Sequence, residues 1–295
     1  MSVITRSPST DELSILNSIW SRIFGDIGRD SFFRLFYKPE LCIIAESNGI
    51  VASTGYLVPF GNLMVGDDSI PCAMIFSIAT LPEYRGVGLG AAVVDELIAI
   101  ADSSGYPVAV LCPSEDRLFE YYSKHTRFCD RFYTNEQIFT RDDLSGKSSV
   151  PVEISIQEYI KNRDKLLAGT MYIKNDISAF EYQSLLCMEL GGGFYRINDW
   201  YAVVEREDDK RVFIKEFLFK EDSSSCISSN EITKEATASI SELFPADEYI
   251  VRFPSRDGKG RRFGMLAATG NDLINDFIYK KIQNCNAAWY GLAFD

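Results

Sequence analysis

A glycine-rich loop between an apolar segment and an amphipathic helix constrains this chain most. Residues 74–90 read Met-Ile-Phe-Ser-Ile-Ala-Thr-Leu-Pro-Glu-Tyr-Arg-Gly-Val-Gly-Leu-Gly, which predicts a strand, a proline-containing turn and a loop. Glycines alternate at Gly86, Gly88 and Gly90, and a residue without Cβ can adopt positive φ or approach a ligand closely. Arg85 adds a cation, and the following helix directs its N-terminal amides at the loop. The segment therefore predicts a phosphate site, with a glycine-rich turn that binds nothing as the alternative.

Two common phosphate-binding loops fit these residues poorly. A P-loop ends in Gly-Lys-Ser/Thr, whereas residues 90–92 are Gly-Ala-Ala and supply neither the lysine nor the hydroxyl. A dinucleotide-binding fold needs a carboxylate at the end of the next strand to hold a ribose. That strand is predicted over Val108–Leu111, and Cys112-Pro113 follows it.

The spacing Arg-x-x-Gly-x-Gly after Leu-Pro-Glu-Tyr resembles the coenzyme A loop of the GNAT superfamily of N-acetyltransferases. The resemblance continues through the strand at residues 108–113, a helix opened by Ser114-Glu115-Asp116, and Tyr121-Tyr122-Ser123-Lys124 before Phe128. Ser123 stands where the family usually has an acid, and Thr126-Arg127 stands where a single glycine is common. The motifs identify the family well and the substrate poorly.

The resemblance implies acetyl-CoA as the co-substrate and assigns residues to it. The pyrophosphate would be held by loop residues Arg85, Gly86, Val87, Gly88, Leu89 and Gly90. Strand residues Ile78, Ala79 and Thr80 would contact the pantetheine arm and the thioester, and Ser114 would contact the coenzyme from the next helix. No metal is expected.

The resemblance also implies candidate catalytic residues. Tyr122 occupies the place of the acid that protonates the leaving thiolate, and a phenol stays protonated at neutral pH. Core packing beside Phe119 is the alternative for this tyrosine. The strand at residues 72–78 contains no acid that could serve as the base. Two-lobed relatives such as N-myristoyltransferase use a C-terminal carboxylate, so Asp295, at the end of an apolar and presumed docked segment, is the candidate base.

The length of 295 residues favours two domains. We predict an acetyl-CoA-binding domain over residues 1–143 and a degenerate second domain over residues 150–295, joined by a polar linker at residues 141–151. The second half repeats the order of the first, but the corresponding loop at residues 220–225 has two acids and no glycine. The expected fold is α/β (α+β), with a mixed, mostly antiparallel sheet, helices on both faces and two tandem acetyltransferase-like lobes.

Local patterns predict the individual elements. The first half should contain helices at Thr10–Phe24 and Ser31–Tyr37 and strands at Leu41–Ser47 and Ile50–Val58, joined by a hairpin turn at Asn48-Gly49. The second half should contain helices at Ile156–Leu167, Ile177–Leu190 and Asn230–Leu243, and strands at Phe194–Ile197, Tyr201–Glu205, Val212–Phe219, Tyr249–Phe253, Phe263–Ala268 and Ala288–Phe294.

Charge and cysteine usage limit the partners. The net charge is −12 and both halves are acidic, which disfavours nucleic-acid binding and favours a cationic acceptor. Seven widely spaced cysteines and a single histidine, His125, support neither a disulfide framework nor a zinc site. Cys112 is expected to be a structural thiol rather than a nucleophile. No apolar run suggests a membrane span or a signal peptide, so we expect a cytoplasmic protein without membrane partners.

The sequence therefore predicts an acetyl-CoA-dependent N-acetyltransferase that transfers an acetyl group to a primary amine by direct attack in a ternary complex. The acceptor, a small-molecule or peptide amine, and the oligomeric state stay open. One alternative is a catalytically inactive acyl-CoA-binding regulatory protein, suggested by the missing acid on the strand before the loop. Another is an assembly module whose second lobe binds a partner protein.

Overall fold

A computed structural model of the chain describes residues 3–144, 149–220, 228–255, 257–283, 285 and 288–295. The strands in this part are β1 (Val3–Arg6), β2 (Cys42–Ser47), β3 (Ile50–Val65), β4 (Asp68–Thr80), β5 (Val108–Leu111), β6 (Cys129–Thr140), β7 (Val152–Glu153), β8 (Met171–Asn175), β9 (Gly193–Ile197), β10 (Trp200–Arg206), β11 (Arg211–Leu218), β12 (Glu248–Pro254), β13 (Arg261–Ala268) and β14 (Ala288–Trp289). The α-helices are α1 (Leu13–Phe24), α2 (Arg29–Leu35), α3 (Leu89–Ser103), α4 (Asp116–His125), α5 (Ile156–Leu167), α6 (Ile177–Leu190), α7 (Ser229–Leu243) and α8 (Asp272–Ile282). None of the helices in this part combines the length and apolar character that a membrane span requires.

All the strands belong to one mixed sheet that runs through both halves of the chain. Its order is β1-β2-β3-β4-β5-β13-β6-β12-β11-β10-β9-β7, with β8 paired to β3 and to β14. Neighbours are antiparallel except for the pairs β4–β5, β11–β12 and β8–β14. Helix α3 packs on the sheet through Val93, Leu97 and Ala101, which belong to one hydrophobic cluster. Helices α1 and α2 belong to a second cluster, which contains the aromatic residues Trp20 and Phe32. The predicted fold class is confirmed.

The two halves exchange strands. Strand β13, from the second half, lies between β5 and β6 of the first half, and β6 in turn pairs with β12. Backbone hydrogen bonds therefore join the two halves through three strand pairs, β5–β13, β13–β6 and β6–β12. The proposed boundary between residues 143 and 150 stays a prediction, and residues 145–148 of the proposed linker lie outside the described part.

Several elements form where the sequence predicts them. Strand β5 and helices α5 and α6 have the predicted ends, and the β2–β3 turn has positive φ at Asn48 and Gly49, as a two-residue hairpin requires. Strand β3 continues beyond the predicted end at Val58. Pro59 is tolerated inside it because the pairing with β4 shifts register between Pro59 and Gly61.

Other elements differ from prediction. The expected strand at residues 288–294 is wrong beyond Trp289, because Gly291 (φ +82°) and Phe294 (φ +62°) depart from extended backbone. Helix α8 was not predicted, although Asn271 caps it by accepting a hydrogen bond from the amide of Ile274. Strand β8 was also missed, since its partners, β3 and β14, are distant in sequence.

A buried polar cluster ties the C-terminal segment, residues 288–295, to helix α5 and strand β11. Arg163 and Glu216 are both fully buried and pair at 2.8 Å between Nε and Oε2. Tyr159 donates its hydroxyl to Glu216 Oε2 at 2.6 Å, and Trp289 donates its indole N–H to Glu216 Oε1 at 2.5 Å. Arg163 also donates to the carbonyl of Ile173. One carboxylate thereby connects α5, β11 and β14.

Removing the charge of Glu216 should destabilise the fold strongly. We expect Glu216→Gln to lower the free energy of unfolding by about 3–5 kcal/mol, because it leaves the buried Arg163 guanidinium uncompensated. Glu83→Gln is the matched control: its pair with Arg22 is exposed (side chains 47% and 52%), so the loss should be far smaller. Urea unfolding measures both, and equal small losses would contradict a structural role for the buried cluster.

Candidate functional site

The glycine-rich loop presents main-chain amides that no described residue accepts. Gly86 (φ +83°) and Gly88 (φ +88°) both adopt left-handed backbone, and α3 begins directly after Gly88. Among the described residues, no backbone or side-chain acceptor pairs with the amides of residues 86–90. The next amide, that of Ala91, pairs with the Tyr121 hydroxyl. Unpaired amides at the start of a helix form a site for an anion.

The space in front of this loop is open. A Cβ built on Gly86 or Gly88 would meet no atom within 4 Å. Arg85 donates from Nε to the carbonyl of Thr80 at 3.0 Å, which fixes its guanidinium at the start of the loop. The loop therefore combines unpaired donors, a cation and free volume, which are what a phosphate group needs.

Strands β4 and β5 separate beside this loop. Their parallel pairing covers only residues 72–74 of β4 and residues 108–110 of β5. The following part of β4 contains a bulge, where the register against β3 shifts between Phe76 and Ala79, and Ser77 adopts φ +51° within it. Non-glycine residues rarely adopt positive φ. The end of β4 thus has an edge without a strand partner on the β5 side.

A cavity of about 390 Å³ opens where the two strands separate. Part of the lining comes from the end of β4, the residues after β5 and helix α4, including Ile75, Ile78, Cys112, Ser114, Leu118 and Tyr122. The rest comes from α1, α6, β10 and the C-terminal segment, including Trp20, Tyr182, Leu186, Glu205, Phe294 and Asp295. The cavity thus lies between the two halves of the chain.

Tyr122 lines this cavity from α4. It is 7% exposed, and it packs with Phe119 on the core side of the helix. Its ring contacts that of Tyr121 edge-on at 5.3 Å between centroids. Burial raises the pKa of Tyr122 above its usual value, so the phenol keeps its proton at neutral pH. The position suits both core packing and proton donation into the cavity.

Asp295 lines the same cavity and is held by two cations. Its side chain is 25% exposed; Oδ2 lies 2.7 Å from Arg252 Nη1, and Oδ1 lies 3.9 Å from Lys215 Nζ. These residues belong to β12 and β11, which pair in parallel only up to Val251 and Ile214. Burial raises the pKa of the Asp295 side chain, but Arg252 and Lys215 outweigh that effect and lower it to about 2. The ion pairs anchor the C-terminal segment where β11 and β12 separate.

Aromatic contacts hold Phe294, the residue before Asp295. The Phe294 ring contacts Tyr182 at 4.6 Å, Phe60 at 5.5 Å and Phe76 at 5.6 Å, each measured between ring centroids. Trp289, Tyr290, Leu292 and Ala293 are buried. The C-terminal segment is therefore docked against the first half of the chain, as the apolar sequence predicted.

The structure brings many of the predicted site residues together. Ile78, Ser114, Tyr122 and Asp295 line one cavity, and residues 85–90 follow the same end of β4. Ala79 is 1% exposed and its carbonyl accepts from Ser53, while Thr80 receives the Arg85 hydrogen bond. These two lie beside the cavity rather than among its lining residues.

Sequence reasoning missed the lining residues that come from α1, α6 and β10. Trp20, Tyr182 and Glu205 lie far apart in the chain, and no local motif marks them. Cys112 behaves as expected for a structural thiol: Sγ donates to the carbonyl of Phe263 at 3.1 Å, and burial raises its pKa. The acidic turn predicted at residues 220–225 lies outside the described part beyond Lys220.

Comparison with known proteins agrees with this geometry. The sequence profile of the acetyltransferase (GNAT) domain matches residues 5–125, which include the loop and α4. No curated protein sequence matches the chain significantly. Among solved structures, a probable N-acyltransferase from Enterococcus faecalis is 14% identical with a TM-score of 0.62, over 91% of this chain and 72% of that one. A GCN5-related N-acetyltransferase from Anabaena variabilis is also 14% identical, with a TM-score of 0.61 over 91% and 73%.

A third similar structure matches over its whole length. It is a tandem GNAT protein from the clavulanic acid biosynthesis pathway, 11% identical with a TM-score of 0.53, over 92% of this chain and 99% of that one. At such low identity these three structures establish the fold alone. Residues 5–125 thus match an acetyltransferase (GNAT) domain, and the whole chain has the fold of a tandem GNAT protein.

Proposed function

We propose that this protein transfers an acetyl group from acetyl-CoA to a primary amine. The observation that supports this most is the set of unpaired amides at residues 86–90, placed at the end of β4 beside a cavity that contains Tyr122 and Asp295. An acyl transferase needs a site for the diphosphate, a path for the thioester arm and polar groups at the reacting atoms. All three requirements have candidate residues in one region of the fold.

The proposed binding of the coenzyme follows from the loop and the separated strands. The amides of residues 86–90 and the Arg85 guanidinium would hold the diphosphate. The unpaired edge at the end of β4 would pair with the amide groups of the pantetheine arm, as an added strand does. That arrangement directs the thioester, the acetyl donor, into the cavity near Ile78 and Tyr122. A main-chain N–H of residues 78–80 would polarise its carbonyl oxygen.

Tyr122 would donate one proton in the reaction and Asp295 would accept another. Attack by the amine on the thioester carbonyl breaks the C–S bond, and Tyr122 would donate its proton to the departing sulfur. The amine must lose a proton, and Asp295 is the proposed acceptor. Its side-chain carboxylate is a weak base while Arg252 and Lys215 hold its pKa near 2.

A coenzyme-release assay over a panel of amines tests the proposal. Free thiol should accumulate only when both acetyl-CoA and an amine are present, and mass spectrometry should find the acetylated amine. Binding of acetyl-CoA without turnover across the whole panel would instead favour the inactive acyl-CoA-binding protein. Absence of acetyl-CoA binding would contradict both functions.

Asp295→Asn should weaken the docking of the C-terminal segment in a pH-dependent way. The folded-state pKa of about 2 lies below the usual 3.8, so the ion pairs stabilise the fold above about pH 4 and lose their effect as the pH falls toward 2. The difference in unfolding free energy between wild type and variant should therefore be constant from about pH 5 to 7 and shrink below about pH 4. Urea unfolding at several pH values measures it, and a difference that persists at low pH would contradict the ion-pair account.

The same variant tests the proposed role of the Asp295 side chain as proton acceptor. Asp295→Asn should lower kcat while the affinity for acetyl-CoA stays the same. Wild-type kcat in this variant would remove the side chain from the reaction.

A further inference from the structure

We propose that the acceptor is a small monoamine on an apolar, ring-sized body, and that Glu205 recognises its ammonium group. The inference rests on the proposed function and names the substrate class for the same cavity. It draws on the lining residues that come from α1, α6, β10 and the C-terminal segment.

Most of these lining residues are apolar, and some of them are exposed to water. Helix α1 and the turn after it contribute Trp20, Phe24 and Ile27, and α6 contributes Leu186 and Leu190. Phe24 is 47% exposed and Ile27 is 53% exposed, although both line a cavity. A ligand with an apolar body would cover them and release water from both surfaces. A sugar or a chain of further amines would instead lose its own hydration against side chains that cannot hydrogen-bond.

The charged side chains that line the cavity lie at one end of it, and each is paired with a cation, Lys215 or Arg252, that is not among the lining residues. Among the described residues that line it, the charged ones are Glu205 and Asp295, both acids. Glu205 is 4% exposed; its Oε2 lies 3.3 Å from Lys215 Nζ, and Oε1 accepts a hydrogen bond from the Gln183 side chain. A carboxylate oxygen can accept more than one hydrogen bond, so Glu205 retains capacity for an ammonium donor.

The arrangement of these acids favours a single ammonium group. Lys215 bridges Glu205 and Asp295, with Nζ 3.3 Å and 3.9 Å from their carboxylates. Lys215 and Arg252 compensate the charge of the two acids, which still present carboxylate oxygens at one end of the cavity, where a single ammonium group could donate hydrogen bonds. The apolar residues of α1 and α6 offer no carboxylate to a second ammonium group farther along the ligand. A diamine or polyamine would have to leave a charge against an apolar surface, which costs more than it gains.

The volume limits the size of the acceptor. At about 390 Å³, the cavity lies near the lower end of small-molecule sites, which run from about 300 to 1,000 Å³. The thioester arm would occupy the β4 side of the same space. The remaining volume suits a body of about one ring rather than an oligosaccharide.

The first experiment compares acceptors after acetyl-CoA binding has been measured by calorimetry. We expect kcat/KM for 2-phenylethylamine to exceed that for spermidine by about tenfold to hundredfold, the effect of burying one ring. Acetylation of spermidine or of a glycine-terminated peptide with equal or higher kcat/KM would overturn the inference and leave the proposed function standing. Failure to bind acetyl-CoA would overturn both.

The second experiment tests the charge on Glu205. Glu205→Gln should raise KM for 2-phenylethylamine by about tenfold, whereas the inhibition constant of 2-phenylethanol, which has no charge, should stay within about threefold. A general structural defect would weaken both ligands equally, and that result would overturn the role of Glu205. Glu181→Gln, an exposed change on α6 outside the cavity lining, is the matched control and should alter neither value.

A third variant, at an exposed residue of the cavity lining, tests the acceptor site without disturbing the fold. Ile27→Gln changes a side chain that is 53% exposed, so the fold should tolerate it. It should lower kcat/KM for 2-phenylethylamine severalfold and leave the affinity for acetyl-CoA unchanged. Unchanged kcat/KM would contradict an apolar acceptor site beside α1 and the turn that follows it.

Discussion

Gly88→Val is expected to reduce the affinity for acetyl-CoA by at least about 100-fold. Gly88 has φ +88°, a conformation that a β-branched residue adopts only with strain. Valine would relax toward negative φ and turn the amides of Gly88 and Leu89 away from the diphosphate. Each hydrogen bond to a charged group contributes about 1.5–3 kcal/mol, so losing two of them accounts for this drop. Calorimetric titration with acetyl-CoA measures it.

The matched control lies at the other end of the same helix. Gly105 follows α3, has φ +82° and, like Gly88, has no atom within 4 Å of a built Cβ. Gly105→Val should therefore cost about the same 1–2 kcal/mol of backbone strain without changing coenzyme affinity. If both variants lose affinity equally, the effect comes from α3 stability and not from the loop amides. Unchanged affinity in Gly88→Val would remove the diphosphate assignment.

Tyr122→Phe is expected to lower kcat by about 100-fold or more while the affinity for acetyl-CoA stays the same. Loss of a positioned general acid typically costs about 10²–10⁴ in rate. The ring would remain, so its packing against Phe119 should be preserved. Steady-state kinetics with a good amine acceptor gives kcat, and calorimetry gives the coenzyme affinity.

Thermal unfolding supplies the control for this variant. Burial of the Tyr122 phenol raises its pKa, and removing a protonated hydroxyl changes no charge at neutral pH. The melting temperature should therefore stay close to that of the wild type. A variant that is stable and turns over at the wild-type rate would leave Tyr122 with a packing role only.

Local sequence patterns were sufficient to predict the glycine-rich loop and the elements around it. The alternating glycines and Arg85 predicted the loop, and Gly86 and Gly88 do adopt positive φ. The elements around the loop are consecutive in the chain, so their spacing alone predicts the order of strand, loop and helix. The resemblance to the GNAT superfamily assigned Ser114 and Tyr122, and both residues line the cavity.

The acceptor side depends on contacts that spacing cannot reveal. Glu205 reaches the cavity from β10 because α6 and the C-terminal segment pack against the first half of the chain. The insertion of β13 between β5 and β6 is equally hidden, since any apolar strand could pair at that edge. Asp295 was proposed from the resemblance to two-lobed relatives and from the apolar character of its segment, but its ion pairs with Arg252 and Lys215 join three distant parts of the sequence.

The most direct test follows the main-chain amides of the loop during ligand titration. In ¹⁵N-labelled protein, the amide resonances of residues 86–90 should shift strongly on addition of acetyl-CoA. They should respond little to acetyl-pantetheine, which has the thioester arm but no diphosphate. Equal shifts with both ligands, or shifts on acetyl-CoA binding that leave residues 86–90 unaffected, would contradict the account.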